Sequence, residues 1–431
     1  MIGCGYLGVT HASALAALGF EVLGVDVDEA RLTDLAAGSV PFFEPGLQPL
    51  LRTQVDAGRL RFTTSPAEAG GFADVHFVCV GTPQKAGSYA ADLTHVDDAV
   101  TALAPHLRPG AVVVGKSTVP VGTAARLAAL LGELAVTGVD LAWNPEFLRE
   151  GKAVQDTVRP DRLVFGTPSE RVERVLREVY AEPIAQGCPV LVTNLATAEL
   201  VKVSANAFLA TKLSYINAIA EVCDAAGADV AVLADAIGLD ARIGRGYLNA
   251  GLGFGGGCLP KDIRAFAARA GELGVNSAVA LLREVDEINM RQRQRVVDLA
   301  TEQLGGSVQG KWVAVLGCAF KPETDDVRDS PALNVAAALH LKGAQVTVYD
   351  PAANATAAKR FPTLAYAAGW EQAASGADVV LVLTEWDEFR VLDPEVVGTV
   401  VGSRNVVDGR NCLDAAVWRG AGWTLAAIGR P

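Results

Sequence analysis

The chain is poor in basic charge. Its 431 residues carry 37 Lys and Arg against 49 Asp and Glu, a net charge of -12. No basic stripe offsets that balance, which argues against nucleic acid as a partner and, more weakly, against an anionic membrane surface. Five histidines (11, 76, 95, 106, 340) show no H-x-x-x-H spacing, so no metal site is expected. Seven cysteines (4, 79, 188, 223, 258, 318, 412) include no C-x-x-C pair. Neither a zinc site nor a disulfide framework is indicated, and a reducing cytoplasm fits. No apolar run reaches the roughly 18 residues of a spanning helix, and no signal peptide precedes the first motif. What is present is a globular composition, 50% hydrophobic and 20% charged, long enough for two or three domains.

Met1-Ile2-Gly3-Cys4-Gly5-Tyr6-Leu7-Gly8 is a G-x-G-x-x-G pattern. Its glycines allow a tight turn, close approach of a pyrophosphate and close helix–strand packing. An apolar run from Val9 to Leu18 reads as the helix whose N-terminus faces the phosphates. Glu21-Val22-Leu23-Gly24-Val25-Asp26 reads as a second strand ending in an acid. A carboxylate there takes both ribose hydroxyls of NAD and repels a 2′-phosphate, so NAD is expected over NADP. Only Met1 and Ile2 precede the glycines, so the first strand is expected to be cut short, through a late start codon or a trimmed chain.

Three more strands follow at 75–80, 111–115 and 141–143, ending in Gly81-Thr82-Pro83, in Lys116 to Thr123 and in Asn144 to Gly151. Ligands of an open parallel sheet sit beyond the carboxyl ends of its strands, so these loops are candidate site walls. Thr82 and Thr118 are equally able to cap the next helices. A helix is expected from Thr197 to Ala226, with Lys202 and Asn206 on one face. That pair suits a developing oxyanion, or is a solvated polar edge. Gly253-Phe254-Gly255-Gly256-Gly257-Cys258-Leu259-Pro260-Lys261-Asp262 presents one cysteine on a glycine-rich turn, with an acid four residues on. The cysteine is a nucleophile candidate or a small buried residue. Ile263 to Gln303 reads as helix. A second α/β unit begins at Lys311, with a helix at 333–341 and strands at 346–350, 379–383 and 406–410. Its turn carries Lys321, Asp325, Asp326 and Arg328 instead of a glycine triplet, which suggests a different, phosphorylated ligand. The expected architecture is α/β: two doubly wound Rossmann-like domains, 1–193 and 305–431, joined by a helical central domain, 194–304, with a long connecting helix.

Taken together, GCGYLG with Asp26, VGTP at 80–83, STVPVGT at 117–123, NPEFLREG at 144–151, AELVKVSANAFLATK at 198–212, DARIG at 240–244, GFGGGCLPKD at 253–262 and FKPETDDVRDSP at 320–331 resemble the nucleotide-sugar 6-dehydrogenase family over nearly the whole chain. The resemblance implies oxidation of a primary alcohol to a carboxylate in two NAD-dependent steps. It implies Cys258 as the nucleophile of a thiohemiacetal and a thioester, and Glu146 as the group that activates water for hydrolysis. Lys202 with Asn206 would stabilise the alkoxide and oxyanion, and Asp262 and Thr118 would hold water or assist proton transfer. Contacts to NAD fall on Gly3, Gly5, Tyr6, Leu7, Gly8, Asp26, Arg31, Thr82, Thr118, Glu150, Lys261 and Arg328. Contacts to a UDP-sugar fall on Phe147, Leu148, Lys202, Asn206, Arg242, Tyr247, Asn249, Gly255, Lys321 and Arg410. Some members carry lysine where this chain has Asn249. Arg242 matches an arginine that reaches a neighbouring subunit's site, which implies a homodimer or a higher oligomer. The DARIG run favours UDP-glucose over GDP-mannose as substrate. An inactive NAD-binding regulatory protein is the reading from a different class.

Overall fold

The computed structural model describes residues 1–135 and 137–431. Two compact units divide the chain. The first comprises Met1–Ala205 and Arg264–Val275; the second comprises Asn206–Ile263 and Asn276–Pro431.

The first unit is built on β1 (Val22–Val25), β2 (Leu60–Thr63), β3 (Val75–Val78), β4 (Val112–Gly115), β5 (Asp140–Trp143), β6 (Leu163–Gly166) and β7 (Val190–Thr193). Ile2 bridges Val25 on one side and Val78 on the other, so the order is β2-β1-Ile2-β3-β4-β5-β6-β7. All pairings are parallel except the single Trp143–Gly166 contact of β5 with β6. A parallel sheet is covered by helices on both faces, which is why β1, β4 and β6 are buried along their whole length. Side chains alternate between the two cores. Phe77, Val112, Val114 and Ala142 enter one; Val78, Val113, Leu141 and Trp143 enter the other.

The first strand is as short as the sequence requires, yet its ladder is made. Ile2 N–H donates to Phe77 O, Gly3 N–H to Val25 O, and Cys79 N–H to Ile2 O, each at 2.7 Å. Met1 closes the row: its amine donates to Leu23 O at 2.7 Å and its carbonyl accepts Val25 N–H at 2.8 Å. Burial lowers the pKa of that amine.

The second unit repeats the winding with β8 (Trp312–Leu316), β9 (Gln345–Tyr349), β10 (Ala365–Tyr366), β11 (Val379–Val382), β12 (Asn405–Asp408) and β13 (Thr424–Ala427). The order is β10-β9-β8-β11-β12-β13, all parallel. This is the doubly wound arrangement expected from the sequence.

The helical middle matches in part. A 32-residue helix runs Leu195–Ala226. Of its apolar positions Ile216 is buried, but Phe208 and Val222, with Tyr215 between them, are exposed. The single helix expected over 263–303 is corrected to two, Leu259–Glu272 and Ala280–Gln303, with a 3-10 turn at Asn276–Val279. The break has a local cause. Gly274 adopts φ 77°, and Leu273, Gly274 and Val275 fold their N–H groups back onto Arg269, Gly271 and Ala270 carbonyls. That left-handed glycine ends the helix. Among the described residues, no helix is long and apolar enough to cross a membrane.

Ile2 bridges β1 to β3, and it is 7% exposed. Ile2→Ala keeps the ladder amides but empties space in the core it shares with Val25, Val78 and Val113. We expect a loss of about 2–4 kcal/mol in unfolding free energy. Urea titration with an unchanged m-value checks it.

Candidate functional site

In the first unit the candidate residues Asp26, Thr82, Thr118 and Glu146 follow the carboxyl ends of β1, β3, β4 and β5. The helix Tyr6–Ala17 starts from Gly5 with no side-chain cap, which leaves first-turn N–H groups for an anion. A Cβ at Gly5 would meet nothing within 4 Å, so there is open room beside those amides. At Gly8 a Cβ would lie 1.8 Å from Gly3 O; only glycine lets the helix seat on the turn. Asp26 closes the site. Its Oδ2 accepts Cys4 N–H at 2.8 Å and Arg31 Nη1 at 3.0 Å, and its Oδ1 accepts Asp28 N–H at 3.1 Å. Open backbone donors for a pyrophosphate and an oriented acid for ribose hydroxyls fit a dinucleotide such as NAD. Leu7 packs on the core beneath.

Tyr6 leads to a residue the sequence reading missed. Its hydroxyl donates to Glu44 Oε2, and the same carboxylate accepts Gly151 N–H at 2.7 Å and Ala153 N–H at 2.8 Å. Burial, then Glu44, push the Tyr6 phenol far up. Glu44 thus joins the glycine turn to the segment that carries Glu150. The only sequence signal was an acid set among Phe42, Phe43 and Pro45.

Thr82 and Thr118 meet, Thr82 Oγ1 donating to Thr118 O at 2.7 Å. Neither caps a helix. The next helices begin at Thr94 and Thr123, from Leu93 and Gly122 without side-chain caps. The helix at 123 is served instead by Glu199, which accepts Gly122 N–H at 2.8 Å and Ala124 N–H at 2.6 Å.

Glu146, at the end of β5, and Lys202 are brought together. Lys202 Nζ lies 2.9 Å from Glu146 Oε1, and both side chains are largely buried. Glu146 Oε2 accepts Leu148 N–H at 2.6 Å. Two cations lie over the Phe147 ring, Arg162 Cζ 3.8 Å and Lys202 Nζ 5.7 Å from its centroid. A buried pair of this kind is specific in geometry, because either partner alone would be an uncompensated charge.

In the second unit Cys258 stands immediately before the helix Leu259–Glu272. It is the one exposed cysteine of the seven. Burial pushes the Cys4 and Cys79 thiols up to about 12 and the Cys318 thiol well above its usual range, which makes them inert. A thiol at a helix N-terminus has the opposite environment, since the helix dipole favours its thiolate. One turn on, Asp262 is 2% exposed; its Oδ2 accepts Asn206 Nδ2 at 2.7 Å and its Oδ1 lies 2.8 Å from Lys261 Nζ.

The glycine loop is tightly invested. A Cβ at Gly257 would sit 2.3 Å from Arg328 Cζ, and one at Gly255 would sit 2.3 Å from Asp329 O. Arg328 is itself held by Asp326, with Nη2 to Oδ2 at 2.7 Å. Lys321 Nζ lies 5.7 Å from the Phe320 ring centroid. Arg410, expected to touch the sugar nucleotide, donates to Leu383 O, Gly253 O and Phe320 O at 2.9–3.0 Å. It therefore buttresses the cysteine loop in this structure.

Other expected substrate residues lie on the segment after the helix Val230–Gly238. Arg242 has 90% of its side chain exposed and pairs with Asp240 at 2.6 Å. Tyr247 has φ 64° and is exposed; Asn249 Oδ1 accepts Arg245 Nη1 at 2.8 Å. Among the described residues no group of three His, Cys, Asp or Glu side chains is placed to hold a metal.

Three family models match in series: the UDP-glucose/GDP-mannose dehydrogenase family NAD binding domain at 1–184, its central domain at 196–291 and its UDP binding domain at 314–415. The chain belongs to the UDP-glucose/GDP-mannose dehydrogenase family. Among curated members, it is 40% identical over 434 residues to UDP-glucose 6-dehydrogenase of Rhizobium meliloti (strain 1021), covering 100% of this chain and 99% of the relative. It is 39% identical over 435 residues to UDP-glucose 6-dehydrogenase YwqF of Bacillus subtilis (strain 168), covering 100% and 97%. A solved UDP-glucose dehydrogenase of Pyrobaculum islandicum superposes with a TM-score of 0.90 at 38% identity, covering 98% of this chain and 97% of that one. The family carries an NAD binding domain in its first segment, and the glycine turn and Asp26 are the residues that fit it.

The contrast among the cysteines has a direct test. With limiting iodoacetamide near pH 8, Cys258 is expected to be alkylated at least about tenfold faster than any other cysteine. Peptide mass spectrometry checks it, with Cys258→Ala losing the fast phase.

Proposed function

We propose that this protein is an NAD-dependent UDP-glucose 6-dehydrogenase, converting UDP-glucose to UDP-glucuronate by a four-electron oxidation. The observation that carries the reading is the single exposed thiol, Cys258, at a helix N-terminus beside the buried Asp262–Asn206 pair. A two-electron alcohol dehydrogenase has no need of it. Full-length similarity to UDP-glucose 6-dehydrogenases supports the substrate. The division into domains at 1–193, 194–304 and 305–431 is part of the same proposal.

NAD, held by the glycine turn and Asp26, supplies the hydride acceptor for both oxidations. Arg31, Thr82, Glu150, Lys261 and Arg328 complete its expected contacts. Lys202 and Asn206 stabilise negative charge on the substrate oxygen as the alcohol is oxidised. Cys258 Sγ then bonds to the aldehyde carbon, whose oxygen takes the proton, giving a thiohemiacetal. Loss of hydride from that carbon and of the proton from its oxygen leaves a thioester. Glu146 takes a proton from water as the water oxygen bonds to the acyl carbon. The C–S bond breaks, and the sulfur leaves as thiolate. Asp262 and Thr118 orient that water. Phe147, Leu148, Tyr247, Asn249, Gly255, Lys321 and Arg410 are the remaining sugar-nucleotide contacts.

UDP-glucose is expected to yield two NADH per carboxylate with no free aldehyde, and GDP-mannose far less. Glu146→Gln should slow the second phase and accumulate an acyl adduct on Cys258. Absorbance at the nicotinamide band and mass spectrometry of quenched protein check both. An adduct absent from Glu146→Gln, with turnover blocked before the first hydride transfer, would remove Glu146 from hydrolysis.

The working form is a homodimer or higher homo-oligomer in the cytoplasm. Phe208, Tyr215 and Val222 lie seven residues apart on the long helix and are 51–65% exposed. An apolar stripe at that spacing suits a second copy of the chain. Arg242, projecting from the same unit, serves the partner's site. Arg242→Ala and Cys258→Ala should each be inactive alone, and mixing them with subunit exchange should restore activity at about one site in four. A mixture no better than its components places Arg242 elsewhere.

A further inference from the structure

One buried cation in the first unit has no role in the reaction as described. Lys116 follows β4 and is 5% exposed. Its Nζ donates to Asn144 Oδ1 at 2.9 Å and to Tyr180 OH at 3.1 Å. Among the described residues no ion pair reaches it. Tyr180 OH also donates to Asn144 Oδ1 at 2.6 Å and lies 3.2 Å from His11 Nε2. Asn144 is fixed on its other edge, Nδ2 donating to Val164 O at 3.0 Å and its N–H to Gly115 O at 2.8 Å. Asn144 precedes Pro145 and Glu146, so this network sets where the Glu146 turn begins.

Lys116 and Glu146 also line one cavity, together with His11, Tyr180, Asp156 and Arg162. It has about 40 Å³ of room for water centres, enough for about three ordered waters. An ammonium has three N–H groups, and two of those on Lys116 have protein acceptors. A buried donor needs a partner, and the cavity provides a place for the water that would serve the third.

We propose that Lys116 is a positioning residue for Glu146, holding its turn through Asn144 and its carboxylate through cavity water and charge. The proposal rests on Glu146 acting as the base of thioester hydrolysis. It gives Glu146 two cations: Lys202 in direct contact, which also faces the reacting oxygen, and Lys116 behind it. When Lys202 turns to the oxyanion, Lys116 keeps Glu146 in place. Burial lowers Lys116 to about 8, with the charge of Glu146 opposing that shift, so the ammonium form is present at neutral pH. The groups facing it are His11 from the first helix, Cys79 after β3, Glu146 after β5 and Tyr180, with Asp156, Asp161 and Arg162 on the cavity they share. Burial keeps His11 neutral and holds the Cys79 and Tyr180 protons on. Lys116 is thus the group of this network that changes charge near pH 8.

The test is Lys116→Met in the full chain, read by single-turnover kinetics and pH profile. The first hydride transfer should stay within about twofold and KM for UDP-glucose within about threefold. The hydrolytic phase should fall about tenfold or more. The basic limb near pH 8 should disappear. Tyr180→Phe, which keeps the charge but removes one acceptor, should give a smaller fall with the basic limb in place. Either variant folded, by thermal unfolding and NAD binding, with hydrolysis and its pH profile unchanged would overturn the proposal. So would equal losses in both oxidation steps, which would mark Lys116 as a packing residue. Should Lys116→Met fail to fold, Tyr180→Phe decides: an unchanged hydrolytic phase overturns the proposal. If Glu146→Gln itself hydrolyses normally, the assignment of the base has failed, whatever Lys116→Met does.

Discussion

Every doubly wound sheet must turn its first strand into its first helix while backbone amides still point outward. In this chain a carboxylate at the end of the neighbouring strand meets that constraint twice. Asp26 accepts the amide of Cys4 at 2.8 Å. Asp350, at the corresponding place after β9, accepts Cys318 and Ala319 amides at 2.7 and 2.9 Å. Such charge-assisted bonds are about twice as strong as neutral ones, and they fix where the helix N-terminus aims. The two halves then diverge. Asp26 keeps Arg31 and a position beside open space at Gly5. Asp350 is closed over by Ala352 and Ala353 amides and by the Trp386 indole at 3.2 Å.

Buried carboxylates do similar work elsewhere in the first unit. Glu44 ties Tyr6 to Gly151 and Ala153; Glu199 ties the long helix to the turn at Gly122. Glu146 pairs with Lys202. Burial raises Glu199, and the backbone amides that cap it offset the effect. In each case an acid links segments distant in sequence, so loops that would otherwise be mobile are held by bonds costly to leave unmade.

Much of this was legible beforehand. Glycine patterns, apolar runs and the acid at Asp26 are local signals, and they located both sheets, the long helix and the cysteine loop. The break at Gly274 was missed because apolar spacing continues through it; a left-handed turn at one glycine interrupts hydrogen bonds without changing the pattern. Phe208 and Val222 fit a helical repeat whether they face a core or solvent, since periodicity gives a face but not its neighbour. Glu44 and Tyr180 were invisible, and Lys116 was seen only as the start of a candidate site wall, for a different reason. Each acts through partners 28 to 169 residues away, and nothing in their immediate sequence marks those partners. Arg410 shows the converse: its position matched a ligand contact, while its guanidinium is occupied by three carbonyls of the chain itself.

The closure of Asp350 has a consequence for time. A dinucleotide seeking the second sheet would have to displace an indole and break the bonds of a carboxylate that is 2% exposed. Among the described residues the Asp26 turn is then the open berth for the redox partner, while the proposed reaction calls for two visits. On that proposal the half-oxidised sugar waits through one departure and one arrival before it finishes. The lifetime of the bond proposed at Cys258 is then set against a clock of dissociation and diffusion, which a chain with a second open berth would not have to keep.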